Sequence, residues 1–414
     1  MNDARQGVVH AINVLTGSDP LKRTDDVNTA RQQDSDDVAY PSSIGFLLIH
    51  LACFAVFWTG VTPRALVLGV ALYLLRIFSI GAGYHRYFAH RAFRTSRVFQ
   101  FCLAFLAQTS AQRGVLWWAA KHRRHHKYSD TELDVHSPVL RGFFYAHVGW
   151  IFVPRNNATD LTAVRDLARY KELLWLNGQP YLPAALLALV SWMIAGMPGL
   201  VVGFCCSTVA VWHATFSINS LAHVIGRRRY VTGDESRNNW LLALLTMGEG
   251  WHNNHHAYQI SVRQGFRWWE YDPTYYALRA LSWVGVVWDL HVPPKAVVRG
   301  EQRLGQVVID KVAGQLAGSF PVNLIASQVL DTLAHSPGWV ELKARLLSAR
   351  LQAEAFWSEI DLPQVPTLDE VRRYARARLA QTPSLDDIAV SARRRLLDLV
   401  HSRLVEAAQT PSAG

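Results

Sequence analysis

Apolar runs of membrane-spanning length constrain this chain more than any other feature. SSIGFLLIHLACFAVFWTGV (42–61) and ALVLGVALYLLRIFSIGAG (65–83) are each close to the ~20 residues a helix needs to cross a bilayer, and VTPR between them makes a tight turn. YLPAALLALVSWMIAG (181–196) passes through MPG into LVVGFCCSTVAVWHATFSI (200–218), again over a short uncharged connection. The pattern predicts an all-α membrane protein with four spans in two hairpins, over about 43–61, 65–83, 181–196 and 200–222. Arg and Lys are dense in the 84–180 loop and after residue 225, while the two hairpin turns hold only Arg64. The positive-inside rule therefore puts both termini and the large loop in the cytoplasm. The stretch 97–119 is apolar but interrupted by Gln108, Gln112 and Arg113, so one amphipathic helix lying in the interface is expected there, and another over Tyr275–Leu290.

Composition agrees with a membrane protein that has large aqueous parts. Half of the 414 residues are hydrophobic, yet the mean hydropathy is only +0.05, so the apolar residues are concentrated in some segments. A formal charge of +10 beside apolar runs is better explained by anionic membrane lipids than by nucleic acid, which is not an expected partner. Cys53, Cys102, Cys205 and Cys206 form no C-x-x-C pair and sit in apolar stretches, where cysteine behaves as a small hydrophobe. Residues 1–42 have no apolar h-region and read as a polar cytosolic leader. Residues 43–298 hold the two hairpins and a cytosolic helical cap, and 299–414 read as a soluble helical extension. Its RRYARARLA and SARRRLLDL favour contact with something acidic, although a solvated face is the plainer account. Removing it after Pro294 is expected to leave metal binding intact.

Histidines carry the chemistry. Of 17, most cluster beside the expected membrane ends: His85 and His90 in YHRYFAH, His122, His125 and His126 in HRRHH, His223 (with Asn219) in NSLAH, and His252, His255 and His256 in WHNNHH. At ~100° per residue, positions i, i+3 and i+4 share a helix face, so each H-x-x-H-H set projects together. His85 and His90, at i and i+5, differ by about 140° on an ideal helix and would flank a site or approach two neighbouring ions. Nine imidazoles exceed what one first-row ion takes, so two metals are expected, and imidazole suits Zn, Cu, Fe or Ni. His50, His136, His147, His213, His291, His335 and His401 are read as ordinary structural residues.

The ordered boxes HRYFAH, HRRHHKYSD, NSLAH and GEGWHNNHH, with RGFFYAHVGW and RQGFRWWEYD, resemble the integral-membrane fatty acid desaturases of the stearoyl-CoA (delta-9) type over about 43–292. The resemblance implies a mushroom-shaped protein with a di-iron centre of two Fe2+, held by the nine histidines just named, with Asn219 meeting one iron through water. It further implies O2-dependent insertion of a cis double bond into a saturated acyl chain. Glu249, Asp130 and Asp134 could orient ligand rings or serve equally as solvated or N-capping acids. Gln112, Trp118, Thr215 and Phe216 match positions that shape the substrate tunnel, although Trp118 could equally be an interfacial aromatic. Phe216 stands where the animal enzymes have Trp, and Lys121 replaces an acidic residue. That leaves the acyl carrier open between CoA, acyl carrier protein and lipid. No fused haem domain or iron–sulfur cysteine cluster is evident, so a separate donor such as ferredoxin or a cytochrome b5-like carrier with its reductase is expected. For a bacterial-like member the resemblance implies the inner membrane, with the site facing the cytoplasm. A di-iron hydroxylase on the same scaffold is the alternative enzyme, and a non-catalytic metal-binding lipid sensor the alternative of another class.

Overall fold

The computed structural model of the chain describes residues 40–348, 357 and 362–409, so most of the polar leader expected over 1–42 lies outside the described residues. Helix α1 (Tyr40–Cys53) is interrupted at Phe54 and Ala55 before a last turn over Val56–Thr59. Helix α2 (Pro63–Ser79) starts with proline in its first turn and a Thr62 hydroxyl that accepts from the Ala65 amide at 3.2 Å. It runs past its expected end as a π-helix over Ile80–Ala89, giving a continuous 27-residue apolar helix. A second apolar helical stretch, Leu182–His223, is 42 residues long and is broken at Ala195 and Gly196, where Gly196 takes a φ of 60°. Helix α5 (Leu182–Pro198) therefore turns back on a π-helical Gly199–Cys206 that continues into α6 (Ser207–Asn219). These two stretches are long and apolar enough to cross a membrane by length and composition.

The interface helix expected over 97–119 is in fact two. Helix α3 (Arg97–Gln108) ends, the chain turns through Ala111 and Arg113 at φ of 56° and 66°, and α4 (Val115–Tyr128) begins. The polar residues that interrupt the apolar run supply the reason. Gln108 Oε1 accepts from the Val115 amide, and Asn177 Oδ1 from those of Leu116 and Trp117, all at 3.0 Å, so the orphan N–H groups of α4 are capped from outside the helix. Gly114 is required at this joint because a Cβ would sit 2.3 Å from Asn177 Oδ1. The Tyr275–Leu290 expectation is corrected likewise. Helix α8 (Pro273–Trp283) stops short, and beyond Gly285 the chain forms β2 (Val287–Trp288), antiparallel to β1 (Arg94–Thr95). The fold is mostly helical rather than all-α.

Buried Ile77, Tyr84, Phe88, Leu103, Leu116 and Leu278 belong to one core that joins the end of α2 to α3, α4 and α8. Arg76, fully buried on α2, ties that helix to α6, donating to Thr208 Oγ1 at 2.6 Å, to Ser207 Oγ and to its own Leu72 carbonyl. Short helix α7 (His252–Ala257) completes the cap. The extension forms α9 (Gln306–Gly318), α10 (Val322–Ala334), α11 (Trp339–Ser348), α12 (Leu368–Arg378) and α13 (Leu385–Gln409), with α13 packed along the others.

Candidate metal centre

The nine clustered histidines converge in two adjoining groups. His85, His90, His122, His126 and His255 form one, and His125, His223, His252 and His256 the other, with the ligand atoms of each group within 4.8 Å of one another. Each H-x-x-H-H helix serves both. On α4, His122 and His126 enter the first group and His125 the second; on α7, His252 and His256 enter the second and His255 the first. The expectation that each set projects as a unit is thus refined, since the i+3 position leans across to the neighbouring group. The rings of His126 and His256 lie 4.4 Å apart, so the groups abut.

Of the two arrangements expected for His85 and His90, flanking one site or approaching two neighbouring ions, the first is found. They sit on the π-helix, where i→i+5 bonding (His90 amide to His85 carbonyl, 3.2 Å) sets residues five apart one above the other, and both join the first group. His223 follows α6 on a 3-10 turn, Leu221–His223. Asn219, the last residue of α6, lines the small space between His85, His122 and Glu249.

Carboxylates fix the rings. Glu249 accepts from His85 Nδ1, Asp134 from His125 Nδ1 at 2.9 Å, and Asp130 from His223 Nδ1 at 2.9 Å. A fourth, Asp234, accepts from His256 Nδ1 at 2.7 Å. Sequence reasoning missed Asp234. Its one signal was a short polar loop, TGDES, between the basic GRRRY and WHNNHH. Burial pushes the pKa of each acid up, but the ring it serves and its other hydrogen bonds overcome this: Asp130 and Glu249 are held at about 2, with Arg86 also acting on Glu249, and Asp134 and Asp234 are held below the usual carboxylate range. Ionised carboxylates can only accept, so Nδ1 of these four rings carries the proton and Nε2 is the atom left for a metal; burial lowers the His223 pKa, but the Asp130 carboxylate overcomes this and raises it. Arg86 anchors Glu249 through Nε at 3.1 Å and Nη2 at 2.9 Å, and Gln264 Nε2 donates to the same carboxylate at 3.1 Å.

The donor set fits metal ions. In the first group, Nε2 of His255 lies 3.0 Å from that of His85 and 2.9 Å from that of His126, and His122 Nε2 is 2.9 Å from those of both His90 and His126. Nitrogens side by side on one ion at ~2.1 Å would be about 3.0 Å apart. In the second group, Nε2 of His125 and His256 are buried with no hydrogen-bond partner, and His223 and His252 face each other at 3.0 Å. Burial, then the neighbouring imidazoles, drives the pKa of His122, His126, His252 and His255 well below 6.5, leaving the neutral, metal-binding form.

Beside the first group lies a cavity of about 490 Å³, lined by Gln112, Trp118, Thr215 and Phe216, all four of the nominated substrate residues, and reaching His122 and Asn219. Gln112 Nε2 donates to Thr215 Oγ1 at 3.2 Å across it, and the Trp118 ring stacks on His122 at 4.9 Å. Gly45, Ile49, Ala184, Ala188 and Phe204 make an apolar end between α1, α5 and the start of the α6 limb, whereas Arg113 and Lys121 bring cations to its wall. Burial lowers the Lys121 pKa to about 8.

Four residues set aside as structural, His136, His213, His50 and His147, belong to the surroundings. His136 forms a third group with His125 and Asp134, its ring 4.3 Å from that of His125, and burial with His125 nearby holds its pKa at about 3. His213 joins a file of rings, His50 Nε2 to His213 Nε2 at 3.1 Å and His213 Nδ1 to His147 Nε2 at 3.0 Å, which ends on Ser220 Oγ. Arg123 pairs with Asp166 at 2.7 Å and donates to the Phe88 and Ala89 carbonyls.

The sequence profile of the fatty acid desaturase family matches residues 46–286, which contain both histidine groups. An acyl-CoA 5-desaturase of Anemone leveillei is 35% identical over 285 residues, covering 66% of this chain and 86% of its own length. An sn-1 stearoyl-lipid 9-desaturase of Synechocystis sp. is 34% identical over 256 residues, 61% of this chain and 80% of its own. A palmitoyl-monogalactosyldiacylglycerol delta-7 desaturase of Arabidopsis thaliana is 34% identical over 255 residues, 60% of this chain and 67% of its own.

Proposed function

The chain belongs to the fatty acid desaturase family, and from that premise we propose that it inserts a cis double bond at the delta-9 position of a saturated acyl chain, at a di-iron centre inside a four-span membrane protein. It is an oxidoreductase of the desaturase class. The observation that carries the finer reading is the cavity, lined largely by apolar residues and reaching His122 and Asn219, beside the two groups of converging imidazoles. The reaction balances as –CH2–CH2– plus O2, two electrons and two protons giving –CH=CH– and two waters. No side chain can oxidise an unactivated methylene; that is the chemistry a pair of irons supplies when bound.

The protein's own residues hold and shape the reactants. Five rings of one group and four of the other present Nε2 lone pairs, and Glu249, Asp130, Asp134 and Asp234 keep four of those rings from turning. Apolar residues line much of the cavity, and the Gln112–Thr215 bond stands on its wall, where it can limit how an acyl chain lies. Lys121 and Arg113 suit a carrier with an anionic head. Relatives are named for CoA and for lipid carriers, and for delta-5, delta-7 and 9-desaturation, so the carrier is read here from charge. Four spans are supported by apolar residues left facing outward on α1, α2 and α5, among them Leu51, Val67, Val70, Leu189 and Met193.

Purified protein loaded with iron and given reductant, O2 and an acyl substrate tests the reading. Two irons per chain and an O2-dependent alkene are expected. Hydroxy acid as the sole product would mean the hydroxylase alternative, and bound iron with no turnover would mean a sensor.

A further inference from the structure

We propose that the C-terminal extension clamps the second histidine group, so that one of the two metals depends on helix α9 for its retention. This rests on reading the histidine groups as metal sites. Helix α9 lies outside the 46–286 family match, yet it reaches the two loops that carry the second group's supports. Lys311 Nζ donates to the carbonyl of Ser129, the residue before Asp130. One turn on, Gln315 Nε2 donates to the carbonyl of Gly233, the residue before Asp234, at 3.0 Å. The two bonds thus grip, from a single helix face, the loop behind His223 and the loop behind His256.

Three further observations make the grip more than incidental. Val231, from the Asp234 loop, is buried in the same apolar cluster as Ile309, Val312 and Leu316 of α9 and Ile388 of α13. Gly233 holds a φ of 77° and lies so close to α9 that a Cβ there would be 3.3 Å from Lys311 Cδ. The loops are also tied to each other, because the Glu235 amide donates to Asp130 Oδ2 at 2.8 Å, the oxygen that serves His223. The first group draws its carboxylate support differently: Glu249 is held by Arg86 and Gln264, both within the family-matched region. The extension therefore bears on the two groups unequally, and the proposal runs against the expectation that it can be removed without consequence for the metals.

The test compares full-length wild-type protein with the double variant Lys311→Met/Gln315→Ala and with Lys311→Arg, which keeps a donor. Each is loaded anaerobically with 57Fe2+, challenged with a chelator, and followed by bound iron per chain and by Mössbauer spectra. The double variant should lose one iron roughly tenfold faster than wild type, with the spectrum of the other iron and the melting temperature little changed, while Lys311→Arg stays close to wild type. Equal release rates and unchanged spectra in the double variant would overturn the clamp. So would simultaneous loss of both irons with a lowered melting temperature, which would mark general unfolding. Wild-type protein that binds no iron would instead overturn the metal reading beneath it.

Discussion

At the scale of single residues, the second layer around the rings does as much as the rings themselves. A histidine nitrogen is a usable ligand only if its other nitrogen holds the proton, and Asp234 enforces this for His256 at 2.7 Å while Thr232 and Ser236 hold its other oxygen at 2.7 and 2.6 Å. Asp234→Ala should weaken iron binding by about 10- to 100-fold in chelator competition. Wild-type affinity in that variant would remove Asp234 from the site. Residue types at these positions were legible in part. The nine histidines announced themselves by spacing, whereas Asp234 did not, because a carboxylate in a polar loop looks like any solvated acid until the fold brings His256, 22 positions away in sequence, against it.

At the scale of elements, local hydrogen bonding decided what periodicity could not. Apolar runs anticipated the helical stretches Pro63–Ala89 and Leu182–His223, which are long and apolar enough to cross a membrane. The π-helix at Ile80–Ala89 was invisible to a 3.6-residue period, and with it the choice between the two arrangements of His85 and His90. The break between α3 and α4 was hidden in part, because only one of its two caps, Gln108, is local, and the other, Asn177, lies some 60 positions away in sequence. Arg76 poses the sharpest test of element packing. Its guanidinium is buried between apolar helices and takes two of its acceptors, Ser207 and Thr208, from the α6 limb. Ser207→Ala/Thr208→Ala should cost about 3–5 kcal/mol by stranding that charge, seen as a lowered melting temperature in detergent. Adding Arg76→Met should recover much of it, and no recovery would show that the hydroxyls act through packing instead.

At the scale of the molecule, two bodies of different character meet at the two histidine groups. One is a set of apolar helices whose outward faces stay uncovered, with Phe57 and Trp58 80% and 83% exposed. The other is the cap and extension, where Arg, Lys and the buried acids are concentrated. The cavity joins them, apolar where it enters the helices and cationic near Lys121. On the proposed reading the cavity sets which carbons of an acyl chain lie beside His122, so the position of the new double bond reports the whole arrangement at once. The decisive measurement is the double-bond position, by mass spectrometry of derivatised acyl chains, in a host that lacks its own desaturase and expresses this protein. A new cis double bond between carbons 9 and 10, formed only with O2 and lost in His255→Ala, is the predicted result. Acyl chains left saturated, or carrying only new hydroxyl groups, while the purified protein holds two irons would contradict it.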